Sequence, residues 1–178
     1  PFHVARFFAS LDLISGGRSG WNVVTSSGLS EAANFGIAML PEHERYRRAT
    51  EFVEVVKGLW DSWEDDAVIG DKAAGIFIDP EKVHILDHAG EYYRSRGPLT
   101  LPRSPQGRPV IVQAGQSEAG RTLASAVADI VFTVEQDIGS AKAYYDDVKG
   151  RAAAAGRSPD TVKVLPGAMV ITGRSRAE

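Results

Sequence analysis

Apolar residues at Phe2, Ala5, Phe8, Ala9 and Leu13 recur at close to helical spacing, and Ser15, Gly16 and Gly17 then break the chain. The spacing predicts a helix over Phe2–Leu13. Trp21–Thr25 is short, β-branched and mostly apolar, the pattern of a buried strand. Its polar Asn22 and Thr25 lie toward the C-terminal end, where packing gives no reason for them. Thr25–Gly36 reads as loop. From Pro41 a strong amphipathic helix follows, with Tyr46, Ala49, Phe52, Val53, Val56, Leu59, Trp60 and Trp63 on one stripe, and the acidic stretch Asp61–Gly75 closes it. Residues 76–109 lose all clear period and read as an irregular insertion with room for one hairpin; a segment of that length is more often functional than accidental.

The rhythm then turns regular. Pro109–Ala114 predicts a strand, Gly115–Ser117 a turn, Glu118–Ala128 a helix, Asp129–Thr133 a strand and Ser140–Ala155 a helix closed by Gly156. A last strand is expected over Val162–Thr172, interrupted at Pro166-Gly167. Strands alternating with helices through short links predict βαβ units and a parallel sheet, with Trp21–Val24, Val110–Gln113, Ile130–Thr133 and Val164–Val170 as neighbours.

With 178 residues the chain can bury a core, yet only about four strands are readable, and it opens on Pro and a helix. A complete (β/α)8 barrel needs roughly 250 residues. The expected fold class is therefore α/β: a partial (β/α)8 TIM barrel, with residues 1–178 a single-domain fragment of it. Charge narrows the function. Twenty Lys+Arg against 23 Asp+Glu leave −3, which gives no basic field for nucleic acid. No cysteine means no thiolate metal site and no cysteine nucleophile. No apolar run spans a membrane and the N-terminus lacks a signal-peptide layout, so a cytoplasmic protein is expected.

Gln113–Gly120 is the most informative stretch. It joins the C-terminal end of an expected parallel strand to the start of a helix, where open N–H groups and the helix dipole favour an anion. Gly115 permits a tight turn, the Ser117 hydroxyl can donate, and Gly120 allows close approach, which suits a phosphate monoester. Plain N-capping by Ser117 stands level with that reading. A nucleophile elbow at Gly115-x-Ser117 fits less well, since Ala119 replaces the second glycine and His3, His43, His84 and His88 all precede the serine. His84 and His88 stand four apart, but the flanking Val83, Ile85, Leu86 and Gly90 argue against the helix that would make them a metal pair. Asn22 and Thr25 end a strand whose C-terminal end would face a barrel's active site, and His43, Arg45 and Tyr46 open the long helix.

Taken in order, several segments resemble the bacterial-luciferase-like flavin-dependent monooxygenases, in the branch of nitrilotriacetate monooxygenase component A and dibenzothiophene-sulfone monooxygenase. They are Ser15-Gly16-Gly17-Arg18 … Gly20-Trp21-Asn22-Val23-Val24-Thr25-Ser26, Asn34-Phe35-Gly36, Glu44-Arg45-Tyr46, Leu59-Trp60-Asp61-Ser62-Trp63, Gly97-Pro98-Leu99, Pro102–Pro109 and Val112-Gln113-Ala114-Gly115-x-Ser117-x-x-Gly120. The resemblance implies a (β/α)8 barrel of which this chain holds roughly strands 4 to 7, with the 76–109 insertion. It implies reduced FMN (FMNH2) supplied by a separate NAD(P)H-dependent flavin reductase, with O2 as oxidant and a small organic substrate that gains one oxygen atom. A homo-oligomer is expected of the full-length protein. Carried over, Asn22 and Thr25 would lie by the isoalloxazine, Tyr46 and His43 (Glu42 if the register shifts by one) would contact the flavin or its phosphate tail, and Ser117 with the Gly115-Gln116 backbone would hold the phosphate. No general base is implied. A serine hydrolase using Ser117, or a non-catalytic barrel piece, are the alternative expectations.

Overall fold

A computed structural model describes residues 1–168, 172 and 173. Residues 169–171, which belong to the last expected strand, lie outside the described residues. The chain divides into two compact units, Pro1–Val112 and Gln113–Glu178.

The first unit runs α1 (Phe2–Ser15), β1 (Gly20–Asn22), α2 (Leu29–Asn34), α3 (Glu42–Trp60), β2 (Val68–Asp71), β3 (Ile76–Ile78), β4 (His88–Ala89), β5 (Arg94–Ser95) and β6 (Val110–Gln113). Helix α1 buries Ala5, Ala9 and Asp12, one stripe at i, i+4 and i+7. It ends where Gly16 takes φ 64°, a left-handed cap that costs a glycine little. Beyond the turn β1 pairs in parallel with β6, Trp21 opposite Ile111, and the Val23 N–H extends the ladder to the Val112 carbonyl at 2.8 Å. The strand is thus shorter than the apolar run that predicts it.

Trp21 is the hub of this core. Its ring lies 5.9 Å from Phe8, 6.0 Å from Phe52 and 6.1 Å from Trp60, and the Trp60 indole donates to the Ala5 carbonyl at 2.9 Å. Helix α3 buries Val53, Val56, Leu59 and Trp60 as its stripe predicts, and Val55 as well. Asp12, fully buried, ties α1 to the distant Gln106: it accepts from the Gln106 N–H (3.0 Å) and carboxamide (2.6 Å) and from the Ser19 hydroxyl (3.0 Å). Burial alone would raise its pKa, but the hydrogen bonds led by Gln106 outweigh this and hold it below the usual carboxylate value.

Two features depart from the sequence pattern. The segment after β1 contains α2, six residues with only Ala32 buried, too short to show a period. A hairpin, β2–β3, begins at Val68, inside the acidic stretch that reads as closing α3. Val68, Ile69 and Phe77 are exposed on it, so no alternation marks these strands. A second hairpin, β4–β5, pairs His88 with Ser95.

The second unit contains α4 (Glu118–Val127), β7 (Ile130–Thr133), α5 (Ile138–Ala154) and β8 (Lys163–Pro166). Strands β7 and β8 are parallel, Ile130 opposite Lys163 and Thr133 opposite Pro166. Leu123, Ala124 and Val127 of α4 and Tyr144, Val148 and Ala152 of α5 are buried, and the Ser125 hydroxyl donates to the Val148 carbonyl at 3.3 Å. Helix α5 starts two residues ahead of expectation because Asp137 caps it, accepting from the Ser140 N–H at 3.0 Å. Lys149 closes the link to β8 by donating to the Pro159 and Val162 carbonyls, both at 2.6 Å.

Candidate functional site

In the first unit the singled-out residues fall into two groups. Asn22 is the last residue of β1 and exposed; Thr25 follows, half-buried, and Ser26 takes a left-handed φ of 48°, uncommon for a residue with a Cβ. The strand end is therefore turned sharply at the place where polar residues had no packing reason. His43 and Tyr46 sit in the first turns of α3, His43 exposed and Tyr46 half-buried. Between them Arg45 is committed to local structure, donating to the Leu40 carbonyl at 3.0 Å.

The next stripe of α3 is occupied by the β4–β5 hairpin. The Tyr92 hydroxyl donates to Glu44 at 2.7 Å, Arg47 pairs with Glu91 at 2.7 Å and Arg48 donates to the Tyr93 hydroxyl at 2.6 Å. Glu51 accepts from the Tyr92 and Tyr93 N–H groups (2.9 and 2.8 Å) and faces His88 Nε2 at 3.0 Å. Desolvation would raise Glu51; the His88 and backbone hydrogen bonds win and lower it. The hydrogen bond to Glu44 pushes the Tyr92 phenol up to about 12. His84 pairs instead with Glu64 at 2.7 Å, so the two histidines are spent on different carboxylates. No metal-binding cluster occurs among the described residues.

The second unit gathers Gly115, Gln116 and Ser117 in a single turn, and that turn is built from three directions. Gln113, buried at the end of β6, aims its carboxamide oxygen at the Gly115 N–H and accepts its hydrogen bond. That N–H is therefore engaged, which removes Gly115 from the backbone donors open to an anion. A Cβ on Gly115 would stand 2.8 Å from the Gly120 Cα, so only glycine fits. Ser117 is the N-cap of α4, its Oγ accepting from the Gly120 N–H at 3.2 Å. Capping uses an oxygen lone pair and leaves the hydroxyl proton free to donate. The N–H groups of Ser117, Glu118 and Ala119 have no acceptor within the helix. Gln116 reaches the end of β7, donating to the Phe132 carbonyl and accepting from the Thr133 hydroxyl, both at 3.4 Å.

Glu118, the first helical residue, is held in a fork by Arg151 of α5 at 2.7 and 2.9 Å, and Arg151 also binds Asp147 at 2.8 Å. The hydrogen bond from Arg151 lowers the Glu118 pKa. Gln113 could have been suspected as a polar residue in an inward register of an apolar strand; Arg151, 33 residues beyond Glu118, left no local signal. All four histidines lie in the first unit, and within the second unit Ser117 Oγ accepts from the Gly120 N–H.

The whole chain, residues 1–178, matches the family described as luciferase-like monooxygenase. It is 55% identical to N-acetyl-S-(2-succino)cysteine monooxygenase of Bacillus subtilis, over 94% of this chain and 38% of that protein. It is 53% identical to nitrilotriacetate monooxygenase component A of Aminobacter aminovorans, over 100% of this chain and 40% of that one. Among solved structures, a riboflavin lyase crystallised with modified FMN and riboflavin superposes with a TM-score of 0.89 at 40% identity, covering 93% of this chain and 37% of that one. The chain thus spans about two fifths of the length of its curated relatives. Its parallel α/β units are of the partial (β/α)8-barrel class, and the chain belongs to the luciferase-like monooxygenase family.

Proposed function

We propose that the full-length protein is a two-component, reduced-FMN-dependent monooxygenase that inserts one oxygen atom from O2 into a small organic substrate. The family membership supports oxygenase chemistry, the name component A of one relative supports a separate flavin reductase as partner, and the FMN in the riboflavin lyase supports the cofactor. A cytoplasmic homo-oligomer is part of the same proposal; no helix among the described residues is long and apolar enough to cross a membrane.

The single observation carrying the reading is the α4 turn. A phosphate monoester needs several donors converging without steric cover. The turn offers the free Ser117 proton and three N–H groups at the positive end of a helix, beside a glycine that no side chain could replace. The residues present fit the phosphate of FMN. Ser117 and the backbone of Gln116 and the first helical turn would hold it; Asn22 and Thr25 would border the isoalloxazine, and Tyr46 with His43 would contact the ring or its tail. FMN, once bound, supplies the oxygen activation, while the protein orients it and excludes water. The substrate and any general base are not assigned.

The test is a titration of reduced FMN into the full-length protein and two variants. Ser117→Ala removes one hydrogen bond to a charged acceptor, worth roughly 1.5–3 kcal/mol, so affinity falls by about one to two powers of ten. Ser117→Asp keeps the cap, since Asp caps as well as Ser, yet opposes the dianion and binds worse still. If the Asp variant binds like wild type, Ser117 is only a cap and the phosphate lies elsewhere.

A further inference from the structure

We propose that Arg151 is a positioning residue for the phosphate turn, acting through Glu118: it neutralises and holds aside a carboxylate that would otherwise repel the flavin phosphate. The inference rests on the phosphate reading above and deepens it.

Glu118 directly follows Ser117, and its own N–H is among the open donors. For the helix alone, an acid in the first turn is favourable because it faces the positive end of the dipole. For a phosphate dianion at the same end, it is a like charge. These demands conflict. The second unit resolves them with an arginine from α5: two guanidinium nitrogens of Arg151 fork onto the two Glu118 oxygens at 2.7 and 2.9 Å, a third holds Asp147 at 2.8 Å, and Thr122 Oγ1 accepts at 3.0 Å. Arg121 adds 3.6 Å to Glu118 and 3.1 Å to Asp147. Two cations against two carboxylates leave this network neutral.

Stability alone does not account for such an arrangement. The Glu118 side chain is 72% exposed, and a pair this wet stabilises a fold little. What it does change is the charge presented to an anion one residue away. A second observation points to the same place. Tyr144 of α5 is only 5% exposed, yet among the described residues its hydroxyl makes no hydrogen bond of ordinary geometry. The Gln116 carboxamide of the turn and the charges of Arg121, Glu135 and Asp147 act on that hydroxyl, so a buried polar atom lies beside both the network and the turn.

The experiment compares FMN with riboflavin, which lacks the phosphate, by equilibrium titration into the full-length protein, Arg151→Gln, Glu118→Gln and the double variant. Arg151→Gln weakens FMN roughly three- to tenfold, the size expected for one exposed charge near a dianion, and leaves riboflavin unchanged. The loss shrinks in high salt. Glu118→Gln binds FMN at least as tightly as wild type, and the double variant returns to the Glu118→Gln value. Arg151→Lys keeps the cation and stays near wild type, which separates charge from folding if Arg151→Gln melts early. Equal weakening of both flavins by Arg151→Gln, or no recovery in the double variant, makes the pair a mere α4–α5 brace and overturns the proposal. Wild type that does not prefer FMN over riboflavin removes the phosphate reading and this inference with it; an FMN preference that ignores Arg151 removes this inference alone.

Discussion

Two helices of this chain begin beside residues singled out for flavin binding, and their N-termini are built in opposite ways. Helix α3 starts after Pro41 with no side-chain cap, and both Glu42 and Glu44 lie in its first turn. Its polar side chains are already engaged: Glu44 with Tyr92, Arg45 with Leu40, Arg47 with Glu91. Helix α4 starts after a glycine turn locked by Gln113, is capped by Ser117, and has its one first-turn acid paired with Arg151. A helix N-terminus attracts anions in general, but only where nearby carboxylates are neutralised and donors stay unspent does it suit a phosphate. On that criterion α4 is the proposed anion site, and α3 carries His43 and Tyr46 on a helix braced by the β4–β5 hairpin.

The comparison can be broken most directly at Gly115. Gly115→Ala drives a Cβ against the Gly120 backbone, which cannot step aside. Such overpacking costs about 1–3 kcal/mol; FMN affinity falls more than tenfold, roughly 1.4 kcal/mol, and urea denaturation of the variant shows the stability loss. Retained FMN binding would show that the turn is not a phosphate cradle. Next comes Gln113→Leu, which leaves the half-buried Gly115 N–H without its side-chain acceptor. A loss of roughly 1–3 kcal/mol in stability is expected, with a weaker FMN titration because the turn loosens.

Smaller effects test the α3 side. Tyr46→Phe should change FMN and riboflavin affinity by the same factor, within about threefold (0.7 kcal/mol or less), if the phosphate belongs to α4. A loss confined to FMN would mean that Tyr46 shares the phosphate, and the contrast between the helices would fail. The smallest effect concerns the hairpin brace. The Glu51 pKa is lowered from 4.5 in the folded protein, so its contribution to stability is present above that value and fades as pH falls through the lower folded value. Amide exchange at Tyr92 and Tyr93 should therefore accelerate below about pH 4.5, and Glu51→Gln should flatten that dependence. Unchanged protection in acid would remove Glu51 as the hairpin's anchor.

Much of this was legible along the chain. The Val110–Gln113 and Ile130–Thr133 strands, the α3 stripe and the Gly115–Ser117 turn follow from period and from Gly, Ser and β-branched composition, because one face of each element is buried and local chemistry fixes the turn. Helix α2 and hairpin β2–β3 were not legible. They bury almost nothing, so neither a 3.6 nor a 2 period is imposed on their residues. The Gly115–Ser117 turn could be suspected as an anion site from Ser117, but that the Gly115 N–H is engaged by Gln113 could not.

The sequence by itself determined the alternation of strand and helix, the family, and the residues from which a phosphate turn can be made. Only the tertiary structure decided that the Gly115 N–H is spent on Gln113, that Asp12 meets Gln106, and that Arg151 of α5 neutralises Glu118. The physical reason is range. Period and turn chemistry act over a few residues, whereas a side chain's hydrogen-bond and charge state depends on partners that are close in space and distant in the chain, and no local pattern encodes them.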